Sequence, residues 1–229
     1  MFLHLKNILT PEEVRSARSL LGHDAPWVDG RTSAGDQAVA AKRNEQLAQD
    51  STQAQQLRAL VLAALHRDAL FFSAALPHKI FNPLFNRYSG ESNFYGNHVD
   101  GAVLRSRHPD QWVRSDISCT LFLADPADYD GGELLIKEPQ GERAVKLPAG
   151  DMVLYPSSTV HQVAPVTRGA RIASFFWVQS MVRSTEQRQL LFDMDMDLLR
   201  LRSTIGDHAD PVVGLTGTYH NLLRMWADA

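Results

Sequence analysis

The 229-residue sequence contains a single cysteine, Cys119, so no internal disulfide can form, and its neighbours Ile117, Ser118, Thr120 and Leu121 predict an inert thiol inside a strand. Long apolar runs are also missing, with no stretch approaching the roughly eighteen residues of a membrane-spanning helix. Nor is there an excess of one charge: 23 basic and 26 acidic residues give a formal charge of -3, which removes any bulk attraction to nucleic acid or an anionic membrane. There is no internal repeat and no low-complexity tract. The first nine residues are apolar but interrupted by His4 and Lys6, and they lead into Thr10-Pro11-Glu12-Glu13, which reads as a capped helix start and not as a secretory signal. These absences predict a cytoplasmic protein with no nucleic-acid or membrane partner. With 44% hydrophobic residues, the chain can still bury a full core.

What is present falls into three stretches. Helices are expected over 11–22 and 44–69, the second carrying Leu47, Leu57, Leu60, Val61 and Leu65 at helical spacing, and both should pack on a sheet. Between them, Asp29-Gly30-Arg31-Thr32-Ser33-Ala34-Gly35 reads either as a surface connection or as a lid over a site. From 78 to 182 short β-prone runs predict strands near 78–89, 93–99, 116–124, 132–138, 142–147, 151–155, 160–166 and 170–181, separated by turns such as Asp130-Gly131-Gly132 and Pro148-Ala149-Gly150-Asp151. That density predicts a mainly β fold, a double-stranded β-helix or jelly roll. After Arg183 the pattern is helical again. Ser184 caps a helix with an apolar stripe from Leu190 to Leu201, and a last helix is expected from Gly217 or Thr218 to Ala227. The expected division is a jelly-roll domain with N-terminal helices over 1–182 and a C-terminal helical extension over 183–229. Leu190, Leu191, Leu198, Leu222, Leu223 and Trp226 in that extension suit either packing back on the jelly roll or a homo-oligomer interface.

His98-Val99-Asp100 carries the clearest chemistry. Residues two apart on a strand share a face, so His98 and Asp100 bring an imidazole and a carboxylate to one point. His161, at the start of a later strand, is the best candidate for a third ligand. Two imidazoles and a carboxylate form the facial set that holds ferrous iron while leaving positions open. Alone, a histidine and an aspartate at a strand end more often satisfy each other by a hydrogen bond. Arg171 then precedes the apolar strand Ile172-Ala173-Ser174-Phe175-Phe176-Trp177, where a guanidinium calls for an anion, either an internal salt-bridge partner or the carboxylate of a ligand. His108 is a poorer reserve ligand. Arg105, Arg107 and Arg114, beside Trp112, read as a solvated loop or as an entrance for an anionic or aromatic substrate.

With Asn86-Arg87-Tyr88-Ser89-Gly90 before the HxD pair, Asp116–Leu123 followed by Gly131-Gly132-Glu133-Leu134, and His161 with Arg171, the chain resembles the iron(II)- and 2-oxoglutarate-dependent dioxygenases of the prolyl 4-hydroxylase-like type. Asp29-Gly30-Arg31 with Ala34-Gly35, and Leu215–Arg224 near the end, extend a likeness to the bacterial PKHD-type hydroxylases, a group linked to iron uptake, over nearly the whole chain. The resemblance implies Fe(2+) at His98, Asp100 and His161, 2-oxoglutarate with its distal carboxylate on Arg171, Tyr88 as a further contact to that co-substrate, and L-ascorbate as a reductant. It implies a hydroxylase that decarboxylates 2-oxoglutarate to succinate while oxidising a small-molecule or peptidyl substrate. Ala173 stands where some relatives carry a serine that also binds the distal carboxylate. A non-catalytic, cupin-like iron or ligand sensor is the alternative, but it gives Arg171 no task.

Overall fold

Arg171–Ser180 is the strand on which the fold is assembled. In the computed structural model, which describes residues 1–33, 40–107 and 109–228, this strand pairs antiparallel with Ile117–Phe122 on one side and with Leu84–Tyr88 and Pro77–Ile80 on the other. An eight-stranded major sheet results, with Met152–Pro156 and Leu3–Leu5 beyond Ile117–Phe122 and with Glu45–Leu47 and Trp27–Asp29 beyond Leu84–Tyr88. A five-stranded minor sheet has the order Gly141–Val145, Leu134–Glu138, His161–Val163, Phe94–His98, Lys42–Arg43. This is the expected jelly roll.

Alternation along each strand decides what lies where. Ile117, Cys119, Leu121, Met152, Leu154, Phe176 and Val178 point outward from the major sheet and pack against Val14 and Ala17 of helix Pro11–Leu20 and Leu57, Val61, Ala64 and Leu65 of helix Thr52–Arg67. Phe122, Val153 and Tyr155 point the other way, onto Leu134, Ile136, Val145 and Val163 of the minor sheet. The N-terminal helices thus cover the outer face, as expected. Cys119 is a free, buried thiol whose pKa burial pushes well up.

Several expectations need correction. The helix expected from residue 44 starts at Thr52, because Ser51 caps it by accepting from the Ala54 N–H, and Glu45–Leu47 before it is a strand. Asp68 then caps a separate helix, Ala69–Ala75. Pro83 lacks an N–H and divides the run 78–89 into two strands. The stretch read as a loop after the HxD pair is a hairpin, Val103–Arg107 with Asp110–Arg114. The last helix begins at Asp210 instead of Gly217 or Thr218, since Pro211, expected in the break before it, occupies its first turn. Residues 34 and 35 of the suggested lid lie outside the described residues, while Trp27–Asp29 is an edge strand and Gly30–Ser33 a 3-10 turn.

The C-terminal helices Thr185–Ile205 and Asp210–Trp226 pack on the jelly roll through Leu191, Leu198 and Tyr219 against Leu76 and Val182, with Leu222, Leu223 and Trp226 at the margin. Of the residues weighed for an interface, Leu190 stays 60% exposed. No helix among the described residues is long and apolar enough to cross a membrane.

At the N-terminal helix, Thr10 and Glu13 form the expected capping box, and Glu13 also accepts from Arg67 Nη1 at 2.6 Å, tying the two N-terminal helices together. The Arg67 hydrogen bond lowers the Glu13 carboxyl from 4.5 to about 2. A depressed folded-state pKa stabilises above the unfolded value and loses its effect as pH falls toward the folded one. Glu13→Gln is therefore expected to lower the melting temperature at neutral pH by about 2–4 °C, the shift of a loss near 1 kcal/mol in a chain of this size. The gap should close between pH 4.5 and about 2 in thermal melts followed by circular dichroism.

Candidate metal centre

Between the sheets lies a cavity of about 380 Å³. Phe94–His98 ends with His98, and His161 opens the neighbouring strand, pairing directly opposite His98. Asp100 sits just past the strand end instead of on the strand with His98, but the convergence expected from the HxD spacing is present: the ligand atoms of His98, Asp100 and His161 all lie within 4.8 Å of one another.

Both imidazoles are fixed in one tautomer. His98 Nδ1 is 2.8 Å from the Gly96 carbonyl and His161 Nδ1 is 2.9 Å from the Thr159 carbonyl. A carbonyl only accepts, so each Nδ1 carries the hydrogen and each Nε2 keeps its lone pair. Tyr95 stacks on His98 at 3.6 Å, and Tyr155 meets His161 edge-on at 5.1 Å. Burial, then the neighbouring His161, lower the His98 pKa and keep the ring in its neutral, metal-binding form. Asp100 Oδ2 accepts from the Ser118 hydroxyl at 2.5 Å, and Ser118 is in turn 2.8 Å from the Ser157 hydroxyl. Ser118 belongs to the major sheet, so this bond joins the metal centre across the cavity. Two neutral imidazole nitrogens and one oriented carboxylate fit a ferrous ion.

Arg171 is 1% exposed and stands in register with Tyr88. Its guanidinium lies over the Tyr88 ring at 5.4 Å and over Phe122 at 5.2 Å, while Nε and Nη1 have no hydrogen-bond partner. An unpartnered buried cation costs several kcal/mol. Arg171 lines the cavity, and a guanidinium there with no carboxylate partner among the described residues matches a ligand carboxylate, so the residues present also fit a dicarboxylate co-substrate.

Two family models match the chain: the 2OG-Fe(II) oxygenase superfamily over residues 83–179 and the PKHD-type hydroxylase C-terminal domain over residues 186–228. A PKHD-type hydroxylase of Variovorax paradoxus (strain S110) is 60% identical over 228 residues, covering 100% of both chains, and one of Nitrosomonas europaea is 56% identical over 229 residues with the same coverage. The chain belongs to the PKHD-type hydroxylases. It is accordingly a 2OG-Fe(II) oxygenase, an oxidoreductase, and the sensor alternative falls away. Two solved structures share the fold. A prolyl hydroxylase from Trichoplax adhaerens, in complex with a hypoxia inducible factor peptide fragment, aligns with TM-score 0.55 at 16% identity over 83% of this chain and 86% of its own. The carbocyclase SnoK from nogalamycin biosynthesis aligns with TM-score 0.54 at 17% identity over 79% and 80%.

Several lining residues of this PKHD-type hydroxylase were not legible in the sequence. Residues 42–47 cross from the minor sheet, where Lys42 pairs with Tyr95, to the major sheet, where Gln46 pairs with Asn86. Lys42, Asn44 and Gln46 therefore face the cavity, a role that a helix from residue 44 had hidden. Burial lowers Lys42 to about 8. Asn44 sits beside the Tyr88 hydroxyl, and a Cβ on Gly30 would come within 1.8 Å of Asn44 Oδ1, so only glycine allows that approach. Ser118 has one weak signal, a small polar residue alternating with apolar ones in a strand. In contrast, Arg105 pairs with Asp110 and Arg114 with Asp116, each at 2.7 Å, which neutralises two of the three cations considered for the entrance. His108 lies outside the described residues.

Because Ser118 orients the carboxylate without itself belonging to the ligand set, Ser118→Ala is expected to weaken iron(II) binding about 10–100-fold while the fold is kept. Anaerobic metal titration followed by calorimetry checks this; an unchanged affinity would remove Ser118 from the centre.

Proposed function

We propose that His98, Asp100 and His161 hold iron(II), and that Arg171 and Tyr88 hold 2-oxoglutarate, in a hydroxylase whose substrate reaches the metal through the cavity between the sheets. The observation that carries this reading is the Arg171 guanidinium, buried without a counter-charge among the described residues and lining the same cavity as the triad. With both groups bound, the centre activates dioxygen: one oxygen atom enters the substrate as a hydroxyl, the other enters succinate, and carbon dioxide leaves.

The chain's own residues supply geometry and electrostatics. His98 and His161 offer Nε2 because their Nδ1 hydrogens are engaged by backbone carbonyls, and Ser118 holds one Asp100 oxygen so that the carboxylate keeps its direction. Arg171 pairs with the distal carboxylate. Burial raises the Tyr88 phenol, so it stays protonated and able to donate to the same co-substrate.

Leu84, Leu104, Phe175 and Trp177 give the cavity an apolar side where the carbon to be oxidised can lie. A volume of about 380 Å³ is near the small end for ligand sites, which suits a small metabolite or one side chain of a peptide. We extend the reading to L-ascorbate as the reductant that restores iron oxidised without substrate, and to a task in iron uptake. Residues 1–182 are read as the catalytic domain and 183–229 as its helical extension. Exposed Leu190, Leu199, Val213 and Met225 on the C-terminal helices are read as surface for self-association.

Anaerobic addition of iron(II) and 2-oxoglutarate is expected to give a visible charge-transfer band that His98→Ala abolishes. Arg171→Leu should raise the 2-oxoglutarate concentration at half-saturation by on the order of a hundredfold, the effect of removing one partner of a buried charge pair. In air the wild-type chain should form succinate. The absence of both band and succinate from the wild-type chain would overturn the proposal.

A further inference from the structure

Two carboxamides, Gln46 and Asn86, line the cavity away from both the metal ligands and Arg171. They sit in register on neighbouring strands of the major sheet, 3% and 7% exposed, and Gln46 Nε2 and Asn86 Oδ1 have no hydrogen-bond partner among the described residues, so each must turn toward the cavity to meet a ligand. On the far side of Asn86 the register partner is Ala173, whose side chain is a single methyl group. Along its own strand, Asn86 stands between Tyr88 at the anion end and Leu84 at the apolar side. Side chains with no packing reason to be polar, placed where apolar ones would fit, are kept for a ligand.

We infer that Gln46 and Asn86 form a recognition site for an amide group of the substrate. The inference rests on reading this cavity as the substrate site of an oxygenase. Adjacent strands lie about 4.8 Å apart, so the pair presents its donor and acceptor at separate points. A neutral planar group with its own acceptor and donor on different atoms satisfies both at once, with C=O accepting from Gln46 and N–H donating to Asn86. Glu45, the strand neighbour of Gln46, lies in the next row and is engaged by Arg87 at 2.8 Å, so it brings no charge to this one. The substrate class is thus amide-bearing, a peptide bond or a carboxamide next to the oxidised carbon.

The test compares N-methylpropanamide with methyl propanoate, an ester of equal size that has no N–H, by saturation-transfer NMR on the full chain. The amide is expected to give at least a fivefold larger effect with the wild-type chain, and the difference should fall below twofold in Gln46→Leu and Asn86→Leu. A second readout separates recognition from structural support. If the carboxamides wait for a ligand, each leucine variant melts about 2–4 °C higher without probe, because an unsatisfied buried polar group has been removed. Equal effects of amide and ester with the wild-type chain, a preference that survives in both variants, or melting temperatures that fall would each overturn the inference. The charge-transfer band of the iron and 2-oxoglutarate complex does not depend on these two residues. A chain with the band but no amide preference loses only this inference, and one with the preference but no band loses the oxygenase reading.

Discussion

An unpaired guanidinium in the middle of a protein is the most expensive single feature of this structure, and much of the fold can be understood as what keeps Arg171 in place. Its strand is held by hydrogen bonds on both sides over most of its length, so the backbone cannot shift to bring the charge to water. Tyr88 and Phe122 flank the group with ring faces, which offset part of the desolvation without supplying a counter-charge. Arg171 lines the same cavity as the histidines and Asp100. The two sheets therefore divide the candidate site: the minor sheet brings His98 and His161, and the major sheet brings Arg171 and the serine that hydrogen-bonds the Asp100 carboxylate.

The legible parts of the fold were those in which local chemistry and tertiary packing agree. Thr10-Pro11-Glu12-Glu13 specifies a helix start by itself, and Ser184 accepts from the Gln187 N–H as its position implies. The strand runs around Cys119 and Phe176 read clearly because the helix-covered face is mainly apolar, while the face toward the cavity also carries Ser118 and Thr120. The HxD pair, His161 and Arg171 were visible because few other arrangements give all of them a task, although the sequence left open whether Arg171 would meet a side chain or a ligand.

What stayed hidden did so for physical reasons. Residues 44–47 continue without a break into an alanine- and leucine-rich helix, and only the Ser51 cap and the pairing with Leu84–Tyr88 separate the two. In the hairpin 103–114, charged residues dominate the outer face, so its buried Ser106 and Val113 leave too faint an alternation to read. Gly206-Asp207-His208-Ala209-Asp210-Pro211 contains a real break, but its proline belongs to the helix that follows. In each case a long-range pairing or a cap decided between two locally acceptable conformations.

The same hairpin joins Asp100 to the strand of Ser118, so the chain leaves a metal ligand, makes an excursion, and returns to that ligand's hydrogen-bonding partner. Its base is closed independently of its tip: Ser115 donates from its hydroxyl to the Gly101 carbonyl at 2.6 Å and from its N–H to the Ala102 carbonyl at 3.0 Å. The inner side, with Leu104 and Val113, rests on Phe81, Leu84, Phe175 and Trp177. Asp100 and Ser118, the two ends of the excursion, are thus held by bonds at its base and by packing along its inner side, so one element braces both members of the carboxylate–serine pair.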